Sequence, residues 1–256
     1  MIKWITALIF GLITAVVLLA IFLSFYGLES KYFNSFVKEK TKTFDQNLDL
    51  NFNKTKILLN LKNFELKIKL LEPEIIYNNN QATLTRFVGN ISIQSFFKKE
   101  FALSNIDVGL GKTDIKKVIS IVKQRKPSTF LIILRQLVNQ GEIKGEAKLY
   151  FDNNGKIKDN YIINGSLFNL DAKFLDKFYL VKTSADFQIT KNKYFFNIEK
   201  GQLIDVNLQN SNIQITKNKN EFFVNTNLNT QARINNVNDF LNTFSLLINK
   251  ELININ

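Results

Sequence analysis

From Phe64 to Leu70 the chain reads FELKIKL, and its side chains change character at every step. Phe64, Leu66, Ile68 and Leu70 fall on one side, and Glu65, Lys67 and Lys69 on the other. A helix would scatter that set around its circumference. An extended strand, whose successive side chains point to opposite faces, sorts it into one apolar and one wet face. The same signature recurs in NLDLNFN, with Leu48, Leu50 and Phe52 on one side, and in NISIQSF, with Ile91 and Ile93. Pro73 ends the Phe64–Leu70 run, and EIIYNNNQATL beyond it reads as a strand and a turn. In EIKGEAKLYFDNNGKIKDNYIINGSLFNLDAKF, Ile143, Ala147, Leu149 and Phe151 alternate up to Asn153-Asn154-Gly155. Asn-Gly adopts positive φ at little cost, so this stretch predicts a long hairpin. Further strands are expected at Val181–Ile189, Tyr194–Ile198, Leu203–Leu208, Asn212–Thr216 and Phe222–Leu228, joined by short polar turns. The pattern predicts a mainly β body, an antiparallel meander with a few helices.

Helical spacing is confined to a few segments. Ile115, Val118, Ile119 and Val122 recur at i, i+3, i+4 and i+7. Phe130 to Val138 is apolar, with Gly141 just beyond it as an expected C-cap. A third stripe comprises Val237, Phe240, Leu241, Phe244, Leu247 and Ile248. Such stripes are suited to covering part of a sheet.

The amino-terminal run from Trp4 to Phe25 carries no charge. Its length suits the roughly 20 residues that a helix needs to cross a bilayer core. Trp4 and Tyr26 bracket it, as amphipathic rings do at a membrane interface. A cleaved signal peptide would have a shorter apolar core ending in small residues, whereas this run ends in LSFYGLES. We expect an uncleaved anchor over residues 1–26, followed by one β body over 27–256, with Trp4, Phe10, Leu18, Phe22 and Tyr26 among the residues facing lipid. Lys31, Lys38, Lys40 and Lys42 follow the run and are placed to touch anionic head groups or simply to solvate the chain. Counted literally they would hold the body in the cytoplasm, a rule that weakens before long domains. The sequence leaves the side open.

The chain lacks both cysteine and histidine. Disulfides, Cys/His zinc sites and Ser-His-Asp or Cys-His nucleophile systems are therefore impossible. A carboxylate pair would remain, but the 22 acidic residues are scattered, and no enzyme is expected. The formal net charge of +12 fits nucleic acid or anionic lipid as a partner. The lysines alternate along strand-like runs, and the aromatics occupy apolar faces instead of interleaving with a basic stripe, which argues against nucleic acid.

VGLGKTDIKK, Val108 to Lys117, has the Gly-Lys-Thr of a phosphate-binding loop. That loop needs a glycine five residues before the Gly-Lys pair, and Ile106 stands there. Thr113 or Asp114 serves as an expected cap for the helix beginning near Ile115, and Gly109 and Gly111 are expected to turn the chain from strand to helix. No nucleotide and no other cofactor is anticipated.

The order of segments resembles the AsmA-like superfamily, nearest to its large YhdP/TamB-type members. It consists of an anchor, a strand-rich start, the helix TDIKKVISIV, a second helix STFLIILRQLVNQG and the long hairpin. The resemblance covers most of the chain and rests on segment order rather than catalytic signatures. It implies an inner-membrane anchor, a periplasmic body and a curved antiparallel β-sheet forming an elongated apolar groove that carries phospholipid between the inner and outer membranes. It also implies likeness to the chorein-like start of eukaryotic bridge-like lipid transporters. Those proteins are commonly much longer, so this chain would supply only a portion of a periplasm-spanning bridge.

A sheet with one apolar face either packs it against another sheet or leaves it open for acyl chains. Candidate lining residues are Leu48, Leu50, Phe52, Leu59, Leu61, Phe64, Leu66, Ile68, Leu70, Ile91, Ile93, Leu149, Phe151, Phe187, Phe196, Val206, Leu208, Ile213, Ile215, Phe222 and Val224. At Phe195-Phe196 and Phe222-Phe223 the parity is ambiguous, and an error of one residue flips the face. Two functions follow: a membrane-anchored phospholipid conduit, or a closed scaffold for other envelope proteins.

Overall fold

The computed structural model describes residues 2–78, 80–98, 102–125, 127–175, 178–204, 206–218 and 221–230. The expected helical stripe from Val237 to Ile248 lies outside them. A helix, α1 (Ile2–Phe25), leads into β1 (Leu28–Ser30) and a second helix, α2 (Tyr32–Phe44). Strands β2 (Leu48–Asn51), β3 (Lys54–Asn60), β4 (Glu65–Leu71), β5 (Glu74–Tyr77) and β6 (Asn80–Ser92) follow, then a short helix α3 (Ile93–Phe97) and β7 (Leu103–Asp114). Helices α4 (Ile115–Arg125) and α5 (Thr129–Leu137) precede the long strands β8 (Val138–Tyr150) and β9 (Ile162–Leu175). The described chain ends with β10 (Phe178–Ile189), β11 (Lys193–Leu203), β12 (Val206–Asn207), β13 (Ser211–Asn218) and β14 (Glu221–Asn227). These strands form one open antiparallel sheet in the order β1-β3-β4-β6-β7-β8-β9-β10-β11-β13-β14. Strand β5 pairs with β2 and with the first half of β6, whereas β4 takes the second half.

Backbone contacts divide the chain into two compact units. The first comprises Met1–Leu110 and Ala147–Tyr161, the second Gly111–Glu146 and Ile162–Asn256.

In the first unit, α1 passes directly into the sheet. The Phe22 carbonyl accepts from the N–H groups of Tyr26 and Gly27, at 2.9 and 3.2 Å, which closes the helix. Gly27 has φ +69°, and a Cβ there would lie 2.7 Å from the Ile57 carbonyl oxygen. Only glycine combines that left-handed turn with so close an approach to the neighbouring strand. Helix α2, which the alternation-based reading did not anticipate, packs against β2 and β3. It is held by Asn34, which donates to the Asn53 carbonyl and accepts from the fully buried Thr55 hydroxyl. Beneath it, Leu50, Phe52 and Leu70 form a core with Val37, Ile68, Ile75 and Phe87 packed around it.

In the second unit, the dry core is small. Ala185, Ile198, Leu203 and Leu208 cluster, with Leu180, Ile204 and Ile213 against them. Leu203–Leu208, expected as one strand, is instead a tight reversal. Strand β12 folds back so that Leu203 pairs with Val206 and Gln202 with Asn207.

Other expectations are corrected locally. Gly109 and Gly111 lie within β7, so they do not turn the chain into the helix. The helix begins at Ile115 and is capped by Asp114, whose carboxylate accepts from the N–H groups of Lys116 and Lys117. The C-cap of α5 is Val138, in extended conformation, and Gly141 lies inside β8. Ile93 opens α3 and so leaves the strand that ends at Ser92.

The Asn-Gly hairpin turn is present, with Gly155 at φ +78°. Asp152 organises it, its carboxylate accepting from the N–H groups of Lys156 and Asn154, both at 2.9 Å. The bond from Lys156 leads, with that from Asn154 and the charges of Lys156 and Lys158, in holding the Asp152 carboxyl below its ordinary value against a smaller opposing desolvation. A depressed folded-state pKa stabilises the turn above the unfolded value of about 3.9, and that contribution is lost as pH falls through the folded value. Amide-exchange protection at Asn154 and Lys156 should therefore be flat above about pH 4 and fall below it. Leu70→Ala, at a side chain 1% exposed, should cost about 2–5 kcal/mol in thermal or urea unfolding of the detergent-solubilised protein.

Candidate functional site

The ladder registers show which side chains share a face. In the second unit, Gly165, Phe187, Phe196 and Ile213 stand opposite one another across β9, β10, β11 and β13. One step along, Ile163, Ile189, Tyr194, Ile215 and Val224 are aligned across five strands. One step the other way stand Leu167, Ala185, Ile198 and Ser211. All these residues share one face because alternate positions on a strand point the same way. The opposite face carries Asn164, Ser166, Asp186, Gln188, Asn197, Asn212 and Gln214. It is tied across strands by Ser166 donating to Asp186 at 2.6 Å and Gln188 donating to Asn164 at 3.0 Å.

The ambiguous pairs resolve on this basis. Phe196 lies on the apolar face with Phe187, their ring centroids 6.4 Å apart. Phe195 points the other way. Phe222 joins the apolar side opposite Lys217, whose Nζ sits 5.8 Å from the ring centroid, and Phe223 does not. Gly165 makes room for Phe187, because a Cβ there would collide with the Phe187 ring and with the Lys144 carbonyl.

Among the described residues, one end of this apolar face is covered and the other is exposed. Leu203, Ile204 and Leu208, from the β11–β13 connection, close over Ala185 and Ile198. Toward the other end Phe222 and Val224 are 61% and 62% exposed, while Ile189, Tyr194, Ile213 and Ile215 are half-buried.

The first unit repeats the arrangement. Ile57, Ile68, Gly89 and Ile106 align across β3, β4, β6 and β7, as do Thr55, Leu70, Phe87 and Val108. Leu59, Leu66 and Ile91 continue the set. Helix α2 and the Leu50–Phe52 segment cover the Leu70 end, whereas Leu59, Leu66 and Ile91 are only half-buried. The wet face holds Lys56 with Glu29 at 3.1 Å and Arg86 with Asp107 at 2.8 Å. It also holds an open polar cleft of about 240 Å³ lined by residues that include Asn60, Glu65, Lys67, Asn90, Asn105 and Lys148. Leu149, next to Lys148 in β8, points away from that cleft.

The other sequence-derived candidates fall elsewhere. Phe64 lies in the β3–β4 turn at φ +55° and is 63% exposed, outside the strand set of Leu66, Ile68 and Leu70. Leu61, in the same turn, is also exposed. Leu48 pairs with Tyr77 in the side ladder, and Phe52 lies between β2 and β3 in the core under α2. Phe151 is buried just beyond β8, in a single bridge to Ile157. Val206 and Leu208 are fully covered. Ile57, Phe87, Ile106, Val108, Ile163, Leu167 and Ile189 were not anticipated. Adjacent apolar residues blur the parity around Ile57 and Ile163, and only partner strands reveal their face. Among the described residues, no three acidic side chains gather where a metal ion could be held.

Helix α1 satisfies the physical requirement for a membrane span. Trp4–Phe25 has a mean hydropathy of 2.8 and is not buried against the rest of the chain. Trp4, Phe10, Leu18, Phe22 and Tyr26 are all exposed. Comparison with protein-family models, curated proteins and solved structures finds no match to this chain.

The two ends of the second unit's apolar face should respond differently to charge. Val224→Asp, at the open end, should change unfolding stability by no more than about 0.5 kcal/mol, as surface substitutions do. Ile198→Asp, on the same face but 5% exposed, should cost on the order of 3–5 kcal/mol. Chemical denaturation monitored by circular dichroism separates the two.

Proposed function

We propose that this chain is a membrane-anchored phospholipid-binding protein whose open apolar sheet faces hold acyl chains, as a conduit or a part of one. The observation that carries this reading is the in-register apolar face left partly exposed in each unit, on a sheet whose first strand follows a membrane-length helix after only Tyr26 and Gly27. A contiguous apolar face in water is costly and calls for an occupant. An acyl chain is well suited, since each buried CH₂ contributes about 0.8 kcal/mol and a linear chain can follow a row of aligned side chains. The polar opposite faces keep such a sheet wet on its other side. The AsmA-like resemblance supports the same reading and adds a periplasmic body anchored in the inner membrane, with transfer toward the outer membrane, in support of envelope homeostasis.

The full chain, extracted gently and analysed by mass spectrometry, should carry phospholipid. A photo-crosslinking amino acid at Phe196 should capture lipid, and the same group at Phe195, on the next residue but the opposite face, should not. Leu66→Asp should reduce lipid transfer between vesicles by at least about tenfold while leaving the sheet's circular dichroism intact, since one buried charge replaces the apolar contact. Lipid-free protein with equal labelling at both positions would reject this reading in favour of a closed scaffold for envelope proteins.

A further inference from the structure

We propose that the α4–α5 pair is a second membrane contact, a docking element for an anionic phospholipid surface. This is independent of what occupies the apolar sheet faces.

Two observations coincide here. The first is charge. Between Asp114 and Glu142 the chain carries Lys116, Lys117, Lys123, Arg125, Lys126 and Arg135 and no acidic residue. The second is exposed apolar surface on the same helices. On α5, Leu131, Leu134 and Leu137 are half-buried, and α5 packs against α4 and β9. The next positions around the helix, Ile132 and Ile133, are 43% and 47% exposed. On α4, Ile119 is 5% exposed and anchors the inner side, whereas Val122 is 45% exposed. Arg135 ties the helices together by donating to the Ser120 hydroxyl at 3.0 Å.

A helix that merely shields a sheet places polar residues on its outer side. Here the outer side of α5 keeps two adjacent isoleucines, and the flanking charge is uniformly positive. That combination of apolar residues toward the hydrocarbon and lysines or arginines toward phosphate is how an amphipathic segment lies in a bilayer interface. Each basic residue near an anionic surface strengthens binding roughly fivefold. A purely acidic polymer would be recognised by the charge but would have no use for the isoleucines.

The test uses the full chain held through α1 in phosphatidylcholine nanodiscs. The protein has no cysteine, so Gln136→Cys, exposed one turn beyond Ile132 and Ile133, provides a unique site for an environment-sensitive fluorophore. One arm adds phosphatidylglycerol to the nanodisc, and another titrates phosphatidylglycerol vesicles against neutral nanodiscs. Neutral vesicles and polyglutamate serve as comparison probes. The expected result is a blue shift in at least one phosphatidylglycerol arm and little or none with the comparison probes. Lys116→Glu with Lys117→Glu should reduce the response at least roughly tenfold. Ile132→Ser with Ile133→Ser should abolish the shift without altering circular dichroism. A fluorophore that stays in water in both phosphatidylglycerol arms overturns the proposal. So does an equal response to neutral lipid or polyglutamate, or an unchanged response in either double variant.

Discussion

The structure depends above all on the register of its antiparallel ladders. Hydrogen bonds between neighbouring strands lock odd positions of β10 and β13 opposite even positions of β11 and β14. Because side chains alternate with a period of two, that lock gathers Phe187, Phe196, Ile215 and Val224 on one face and sends Asp186, Gln188 and Gln214 to the other. A slip of one residue in β10 would turn Asp186 and Gln188 onto the apolar face and send Phe187 to the polar one. The same constraint acts in the first unit, where Lys56, Lys67 and Lys69 would be turned inward. Within each ladder, cross-strand pairing and the two small cores under α2 and the β11–β13 connection provide the stabilising contacts.

That partial cover underlies the proposed lipid-binding role. Ordinary sandwiches close an apolar face with a second sheet. Here, among the described residues, a helix or a loop caps one end of each face, and side chains such as Leu66 and Phe196 beyond the cap are half-buried. These side chains are held in register by their strand neighbours and remain partly exposed, as the proposed acyl-chain contact requires. Gly27 connects this arrangement to the membrane-length helix. It ends α1 and admits the chain beside Ile57, so that a span and a sheet edge are separated by a turn instead of a long linker.

Much of this was legible from the residues. Strand-forming alternation in FELKIKL, the Asn-Gly turn at 154–155, the α4 stripe and its Asp114 cap all appear as local patterns, and local physics decides them. The absence of the phosphate-loop glycine at position 106 is local in the same sense. Misreadings arose where local signals conflicted. Helix α2 was missed because its apolar positions are interspersed with lysines and it gains its packing from β2 and β3. Phe64 continues a strand pattern by composition but sits in the turn. Leu203–Leu208 alternates like a strand, yet it reverses to cap its own sheet.

The sequence by itself determined the kind of elements present: a bilayer-length apolar helix, and strands with one wet and one apolar side, in a chain that lacks the cysteine and histidine needed for most site chemistry. Those properties follow from residue type and short-range periodicity. Only the tertiary structure decided which apolar residues stand together, which of Phe195 or Phe196 faces the apolar side, and which ends of the faces are covered. These depend on pairing between strands distant in sequence, where a shift of one residue reverses every side chain and periodicity within a single strand supplies no reference.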